Sequence, residues 1–259
     1  MKPKFFDVHT HVNLKPFKER EHEVVERSLE EGVWMINAGT DSETSLKAVL
    51  IAENYKEGVY ATAGHHPNNV LKKEMDVEKI ISVSSSEKVV AIGECGLDYF
   101  YTKDEDGIRL QKEVFDRQIE MANMIKKPLM LHLRDGSGGS AYSDAISMLK
   151  NRSLFGGNAH FFSGTIDNAR ELLSLGFTLS FTGVVTFTDS YDEVLRFPPL
   201  DMIMSETDAP YVAPASIRGE ENQPIYVKEV AKRIAEIRTE PDEEVFEALV
   251  NNARRVFGV

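Results

Sequence analysis

At 259 residues, with 42% hydrophobic and 28% charged side chains, the chain has material for one large core and does not have the composition of a disordered polymer. Its formal charge of −12 argues against broad, non-specific binding along nucleic acid, which needs a basic surface. It still allows a single cleft whose sign is reversed by bound divalent cations. No apolar run approaches the roughly 20 residues of a membrane helix, and Met1-Lys2-Pro3-Lys4-Phe5-Phe6-Asp7 lacks the apolar centre of a secretory signal. One cysteine, Cys95, excludes an internal disulfide and fits the reducing cytoplasm, the expected compartment.

The first apolar run starts at Phe5 and ends in His9-Thr10-His11. Residues i and i+2 share one face of a strand, so the two imidazoles can chelate one ion. Residues 19–31 read as a helix with Val24, Val25 and Leu29 on one side, stopped by Gly32. A second run, 33–39, leads to Asp41, a helix cap, and to Leu46, Val49, Leu50 and Tyr55 at helical spacing. The third run, 59–64, enters His65-His66-Pro67 directly, and a short helix is expected over 76–84. The fourth, 89–93, ends in Glu94. A polar loop follows, then a long helix over 107–126 with Leu110, Val114, Phe115, Ile119, Ala122 and Ile125 inward. Pro128 opens the fifth run, which ends in His132. Residues 136–140 are Gly/Ser-rich and read as a flexible loop ahead of a helix carrying Ala145, Ile146 and Leu149. The sixth run, 157–159, ends in His160, and Thr165 caps the next helix. The seventh spans 177–181, with a weak helix at 189–197. The eighth, 202–205, ends in Glu206-Thr207-Asp208, and helices over 223–238 and 242–256 close the chain.

Apolar runs alternating with helices imply parallel strands joined by right-handed crossovers. The runs are nearly continuous, as in strands buried on both faces. Eight βα units in about 250 residues match a single-domain (β/α)8 TIM barrel spanning residues 1–259. The runner-up, an open doubly wound sheet, would carry a Gly-rich phosphate loop where His9-Thr10-His11 stands.

In a TIM barrel the chemistry sits at the C-terminal strand ends. Those ends hold His9, His11, His66, Glu94, His132, His160 and Asp208, nitrogen and oxygen donors suited to zinc, manganese or magnesium. Two ions need a bridging carboxylate. Glu94 lies in sequence between the two histidine pairs and is the candidate bridge. His9, His11 and Asp208, on neighbouring strands one and eight, would hold one divalent ion, and His132 and His160, on strands five and six, the other.

Six motifs carry a resemblance: His9-Thr10-His11, Gly64-His65-His66-Pro67, Gly93-Glu94-Cys95-Gly96-Leu97-Asp98-Tyr99, His132-Leu133-Arg134-Asp135, His160-Phe161-Phe162-Ser163-Gly164 and Glu206-Thr207-Asp208-Ala209-Pro210. Together with the terminal Asn251-Asn252-Ala253-Arg254-Arg255-Val256-Phe257, they resemble the TatD family of metal-dependent deoxyribonucleases, in order and across the whole chain. The resemblance implies a TIM barrel, metal ligands at His9, His11, Glu94, His132, His160 and Asp208, and hydrolysis of DNA phosphodiesters, often from the 3′ end. Three loops depart from the family pattern: Asn13-Leu14-Lys15, the Gly136-Ser137-Gly138-Gly139 insert, and the acidic stretch Arg218-Gly219-Glu220-Glu221-Asn222-Gln223-Pro224.

Asp208 is the candidate general base. Glu94 shares the catalytic role through its bridge. His66 is a candidate phosphate contact or proton donor, with a loop-capping role as the alternative. Arg134 is a candidate phosphate contact, with a salt bridge to Asp135 as the alternative. Tyr99 and Phe100 are candidates to stack on a base, and Cys95 reads as core filler. DNA is the expected substrate, with no membrane or obligate protein partner. Two alternatives stand beside the nuclease: the same metal pair acting on an ester, lactone or amide such as an aminoacyl ester, and a non-enzymatic metal-binding protein.

Overall fold

The computed structural model describes residues 2–150, 152 and 155–259. Eight parallel strands follow one another around a nearly closed barrel: β1 (Phe5–Thr10), β2 (Val33–Ala38), β3 (Val59–Ala63), β4 (Val89–Asp98), β5 (Leu129–Arg134), β6 (Gly157–His160), β7 (Phe177–Phe181) and β8 (Ile203–Ser205). Each is paired parallel to the next from β1 to β8, with register shifts in the β1–β2, β3–β4 and β4–β5 pairs. The crossovers carry α1 (Glu21–Glu30), α2 (Ser42–Glu53), α3 (Val77–Val83), α4 (Glu105–Ile125), α5 (Ala141–Leu149), α6 (Ile166–Ser174) and α7 (Asp192–Arg196). After β8 come α8 (Val227–Ile237) and α9 (Asp242–Phe257). This is the (β/α)8 barrel the sequence implies. No helix among the described residues is long and apolar enough to cross a membrane.

The barrel closes between β8 and β1 through specific polar contacts. The Asp208 amide donates to the His9 carbonyl (2.9 Å), and the His11 amide to the Ala209 carbonyl (2.7 Å). Asp7, fully buried, accepts from the Thr207 amide (2.8 Å) and from the Thr207 hydroxyl. Burial pushes the Asp7 carboxyl well above the usual carboxylate range, against the bonds from Thr207. One pin thus holds together the strands that carry His9, His11 and Asp208. At the other mouth, α9 packs Val250, Ala253 and Phe257 into a cluster with Phe6, Val8, Trp34 and Met204.

Several elements differ from the sequence expectation, each for a physical reason. β4 runs on to Asp98, five residues beyond Gly93, because it keeps pairing with β5 as far as Asp98↔Arg134. In α2 the buried side is Ala48, Val49, Ile51 and Ala52, whereas Leu46 and Leu50 face solvent. Small residues let that helix lie close to the sheet, and size-weighted periodicity picks the larger leucines instead. The capping box at Asp41 is present: its carboxylate accepts from the Thr44 amide (2.8 Å), and the Thr44 hydroxyl accepts from the Asp41 amide (2.9 Å). The 136–140 segment is a packed turn rather than a free loop. Gly136 and Gly139 exchange backbone bonds of 3.2 and 3.1 Å, and a Cβ on Gly136 would lie 2.1 Å from the Tyr99 carbonyl. The weak helix at 189–197 shortens to α7.

Candidate metal centre

Two local irregularities position His9 and Glu94. Between Asp7 and Thr10, β1 has one residue more than its partner β2, and His9 lies there. Between Ile92 and Cys95, β4 has one more than β5, and Glu94 lies there. Such bulges bend a strand and re-aim a side chain, and they recur beside active sites. At the other strand ends, Phe161 (φ 42°) and Asp208 (φ 55°) adopt left-handed backbone, uncommon for residues with a side chain, where the chain turns over the barrel mouth.

The structure brings His9, His11, His66, Glu94, His132, His160 and Asp208 to one cluster. Glu94 lies at its middle, 3% exposed. Its Oε2 is 3.4 Å from His9 Nε2 and 3.6 Å from His11 Nε2. His11 Nε2 lies 3.4 Å and His9 Nε2 3.9 Å from Asp208 Oδ1. Glu94 Oε1 faces the other way, 2.8 Å from His132 Nδ1, 2.9 Å from His160 Nε2 and 3.1 Å from His66 Nε2. The two oxygens of one carboxylate therefore divide the donors into two sets, His9–His11–Asp208 and His66–His132–His160.

These spacings suit metal ions. Donors at about 2.1 Å from one ion stand about 3.0 Å apart in an octahedron and about 3.4 Å apart in a tetrahedron. The nitrogen–nitrogen approaches, 3.2 Å for His9–His11 and 3.1 Å for His132–His160, fall in that range. Three imidazole nitrogens on one carboxylate oxygen are more than hydrogen bonding alone explains.

The charges are set for a cation. Burial would raise the Glu94 carboxyl, but the surrounding histidines, His66, His160 and His9 foremost, hold it well below the usual range. Burial opposes the charge on Asp208 too, and the bond and charge of His11 outweigh it. Burial holds His9 and His66 below the ordinary histidine value. His11, His132 and His160 feel the same burial, yet the adjoining carboxylates raise them. Buried carboxylates that stay ionised are costly without a counter-cation.

A second layer orients the rings. His11 Nδ1 lies 3.0 Å from the Ala38 carbonyl and His132 Nε2 3.1 Å from Asp98 Oδ2, while His160 Nδ1 faces Glu206 Oε1 at 3.4 Å, close enough for charge pairing but outside hydrogen-bond geometry. Glu206 is fixed in turn by the Phe161 amide (2.7 Å) and the Ser180 hydroxyl. Sequence reasoning passed over Asp98 and Glu206 as site residues. The signal for Asp98 was period two: with β4 read through its end, Glu94, Gly96 and Asp98 share a face. Glu206 stands two residues before Asp208 in the same way.

Above the donors opens a cleft of about 660 Å³, lined by Arg134, Tyr101, Tyr191, Phe161 and Tyr211 among others. Arg134 does not pair with Asp135, which accepts from Ser140 Oγ and the Tyr142 amide. Its guanidinium instead stacks 3.9 Å above the Phe100 ring. Tyr99 is buried (1% exposed) and donates its hydroxyl to Asp144, so it is a packing residue and cannot stack on a base. Phe100 already carries Arg134. The aromatic side chains with free surface at the cleft are Tyr101 and Tyr211, 65% and 52% exposed. Cys95 is buried in the core with Leu97 and Leu131, and burial pushes its thiol far above the ordinary value, as fits inert filler.

A family model described as TatD related DNase matches residues 6–258. The chain belongs to that family. It is 38% identical over 260 residues to the uncharacterized metal-dependent hydrolase YabD of Bacillus subtilis, covering 98% of this chain and 99% of that protein. The crystal structure of YjjV, a TatD homologue from Escherichia coli, aligns at a TM-score of 0.90 and 31% identity over 100% of both chains. A lactonase from Deinococcus radiodurans, at 14% identity and a TM-score of 0.61 over 98% of this chain and 95% of its own, shares the fold alone. This member of the TatD family is a metal-dependent hydrolase.

Proposed function

We propose that the chain is a deoxyribonuclease that shortens single-stranded DNA from its 3′ end with two divalent ions. His9, His11 and Asp208 would hold one ion, His132 and His160 the other, with Glu94 shared. The observation that carries the reading is the division of Glu94: Oε2 toward His9 and His11, Oε1 toward His132 and His160. A one-ion site would have no use for donors on both oxygens. Bound divalent ions supply a water acidified toward a pKa of about 7 and offset charge on phosphoryl oxygens.

The chain's own groups do the rest. Asp208, ionised and at the cleft floor, is the candidate acceptor for the proton of the attacking water. His66 presents Nε2 to the same floor, where it can donate to a phosphoryl or leaving oxygen. Arg134, held over the Phe100 ring, would offer its N–H fork to a flanking phosphate. Tyr211, 52% exposed, offers a ring for a base, and Tyr101, which Arg134 also overlies at 5.3 Å, adds exposed ring surface beside it. The donors lie at the bottom of a cleft rather than on an open face, which favours a strand end.

The test uses metal-stripped protein refilled singly with magnesium, manganese or zinc, and single-stranded DNA labelled at either end. The expected result is metal-dependent shortening from the 3′ end that disappears in Glu94→Ala. Metal uptake without cleavage of DNA would overturn the nuclease reading and direct the search to esters and amides.

A further inference from the structure

His132 and His66 both face Glu94 Oε1, yet their far nitrogens meet opposite partners. His132 Nε2 lies 3.1 Å from Asp98 Oδ2. An ionised carboxylate only accepts, so this nitrogen carries a hydrogen; with an ion bound in place of a proton between Nδ1 and Glu94 Oε1, 2.8 Å apart, Nδ1 would offer its lone pair to that ion. His66 Nδ1 accepts from the Asn68 backbone amide at 3.0 Å. In the neutral ring its hydrogen must then sit on Nε2, which faces Glu94 as a donor and has no lone pair for an ion. His66 would therefore stand among the ligands without being one.

Both arrangements pass through one segment. The Asn68 side-chain amide donates to Asp98 Oδ2 at 2.8 Å, and the Asp98 Oδ1 atom accepts from the amides of Phe100 (3.0 Å) and Tyr101 (3.2 Å). All the donors around this carboxylate are accounted for. Gln111 fixes the same stretch of backbone, accepting from the Asp98 amide at 2.8 Å and donating to the Asp98 and Pro67 carbonyls at 3.1 and 3.3 Å. Asn68 Oδ1 is buried and has no hydrogen-bond partner among the described residues. It is tolerated there because turning the amide over would set that oxygen against the Asp98 carboxylate.

We infer that Asn68 and Asp98 form a clamp that sets the same Nε2–H tautomer on two neighbouring histidines that face Glu94 by opposite nitrogens: His132 a metal ligand through Nδ1, His66 a proton donor through Nε2. Asp98 and Asn68 are positioning residues. They act through the rings they hold. The inference rests on the reading of His132 as a ligand in the proposed function.

The clamp makes an unusual demand on Asp98→Asn, which changes no volume. The oxygen of the new amide stays with the two backbone N–H groups, and its NH2 takes the Oδ2 position. Asn68 turns over, presenting its unpartnered Oδ1 to one hydrogen, and the other hydrogen faces His132 Nε2. That nitrogen must now accept, so the ring's proton moves to Nδ1, where the ion should be.

The experiment titrates chelator-stripped wild type, Asp98→Asn and Asn68→Ala with zinc by calorimetry and records imidazole ¹⁵N spectra of the zinc-treated proteins. Melting curves identify any variant that fails to fold. In wild type, His132 should be protonated on Nε2 and His66 likewise on Nε2, with only His132 showing a coordinated nitrogen. Asp98→Asn should weaken one of two zinc ions by about 10- to 100-fold and place the His132 proton on Nδ1. Asn68→Ala keeps the Asp98–His132 bond and should weaken zinc less than Asp98→Asn does. A wild-type His132 protonated on Nδ1, a coordinated His66, or Asp98→Asn binding both ions as tightly as wild type would overturn the clamp. DNA cleavage is not read in this experiment. A protein with the stated tautomers and two zinc ions but no nuclease activity would keep the clamp and lose the nuclease reading.

Discussion

Glu94 and Arg134 show how much of a side chain's role depends on what lies within 4 Å of it. The position of Glu94 after an apolar run suggested a bridge, and the structure divides its oxygens between the two donor sets. Arg134 was legible as a cleft cation, but its partner was not. Sequence proximity favoured Asp135, whereas the guanidinium lies on Phe100, which a turn of Gly136 and Gly139 brings alongside. A stacked guanidinium keeps its N–H groups free for phosphate. Arg134→Ala is expected to raise KM for single-stranded DNA about 10-fold, the loss of one charge-assisted bond, while kcat stays within about 3-fold. Steady-state kinetics check this. A fall in kcat with KM unchanged would place Arg134 at the reacting phosphate instead.

At the scale of elements, β4 matters most. It supplies Glu94 to the centre of the donor cluster and sets Asp98 beside His132, and it lies very close to β5. Gly96 stands between them at φ 139°, and a Cβ there would be 2.1 Å from the His132 carbonyl oxygen. No side chain fits without moving the strands apart. Gly96→Ala is expected to destabilise the fold by about 1–3 kcal/mol and to abolish tight uptake of at least one ion. Denaturant titration and zinc calorimetry read the two effects. Unchanged values in both would mean that the β4–β5 spacing is not what sets the site. The end of β4 escaped sequence analysis because glycines at 93 and 96 and a glutamate at 94 resemble the exit from a strand. Only pairing with β5 keeps those residues extended.

At the scale of the whole molecule, the candidate donors come from strands that the chain separates by up to about two hundred residues, and closure of the barrel is what joins them. Asp7 and Thr207 pin the β1/β8 seam. Thr207→Val keeps the shape, removes the hydroxyl donor and leaves a buried Asp7 oxygen unpaired. The expected cost is about 1–3 kcal/mol, measured by thermal or chemical unfolding. A smaller cost would locate the closure in the backbone bonds of His9 and His11. The crowded donors also couple metal to stability. An ion that binds only the folded chain adds about 2.7 kcal/mol at a hundred times its dissociation constant. Stripping metal should therefore lower Tm by about 5–10 °C for a chain of this size, and restoring zinc should recover it. A melting temperature indifferent to chelator would contradict a metal centre built from His9, His11, Glu94, His132, His160 and Asp208.

The sequence by itself determined the barrel and its candidate donors, because both are written in local order. Apolar runs alternate with helices, and a histidine or carboxylate ends run after run at the mouth where barrel chemistry lies. Tertiary structure decided what depends on approach between distant strands: the division of Glu94, the stacking of Arg134 on Phe100, the burial of Tyr99, and the partners Asp98, Glu206 and Asn68 that orient the ligands. Those are matters of a few tenths of an ångström and of which nitrogen bears a hydrogen. Period and composition carry no such information, because it arises only when separate strands are packed side by side.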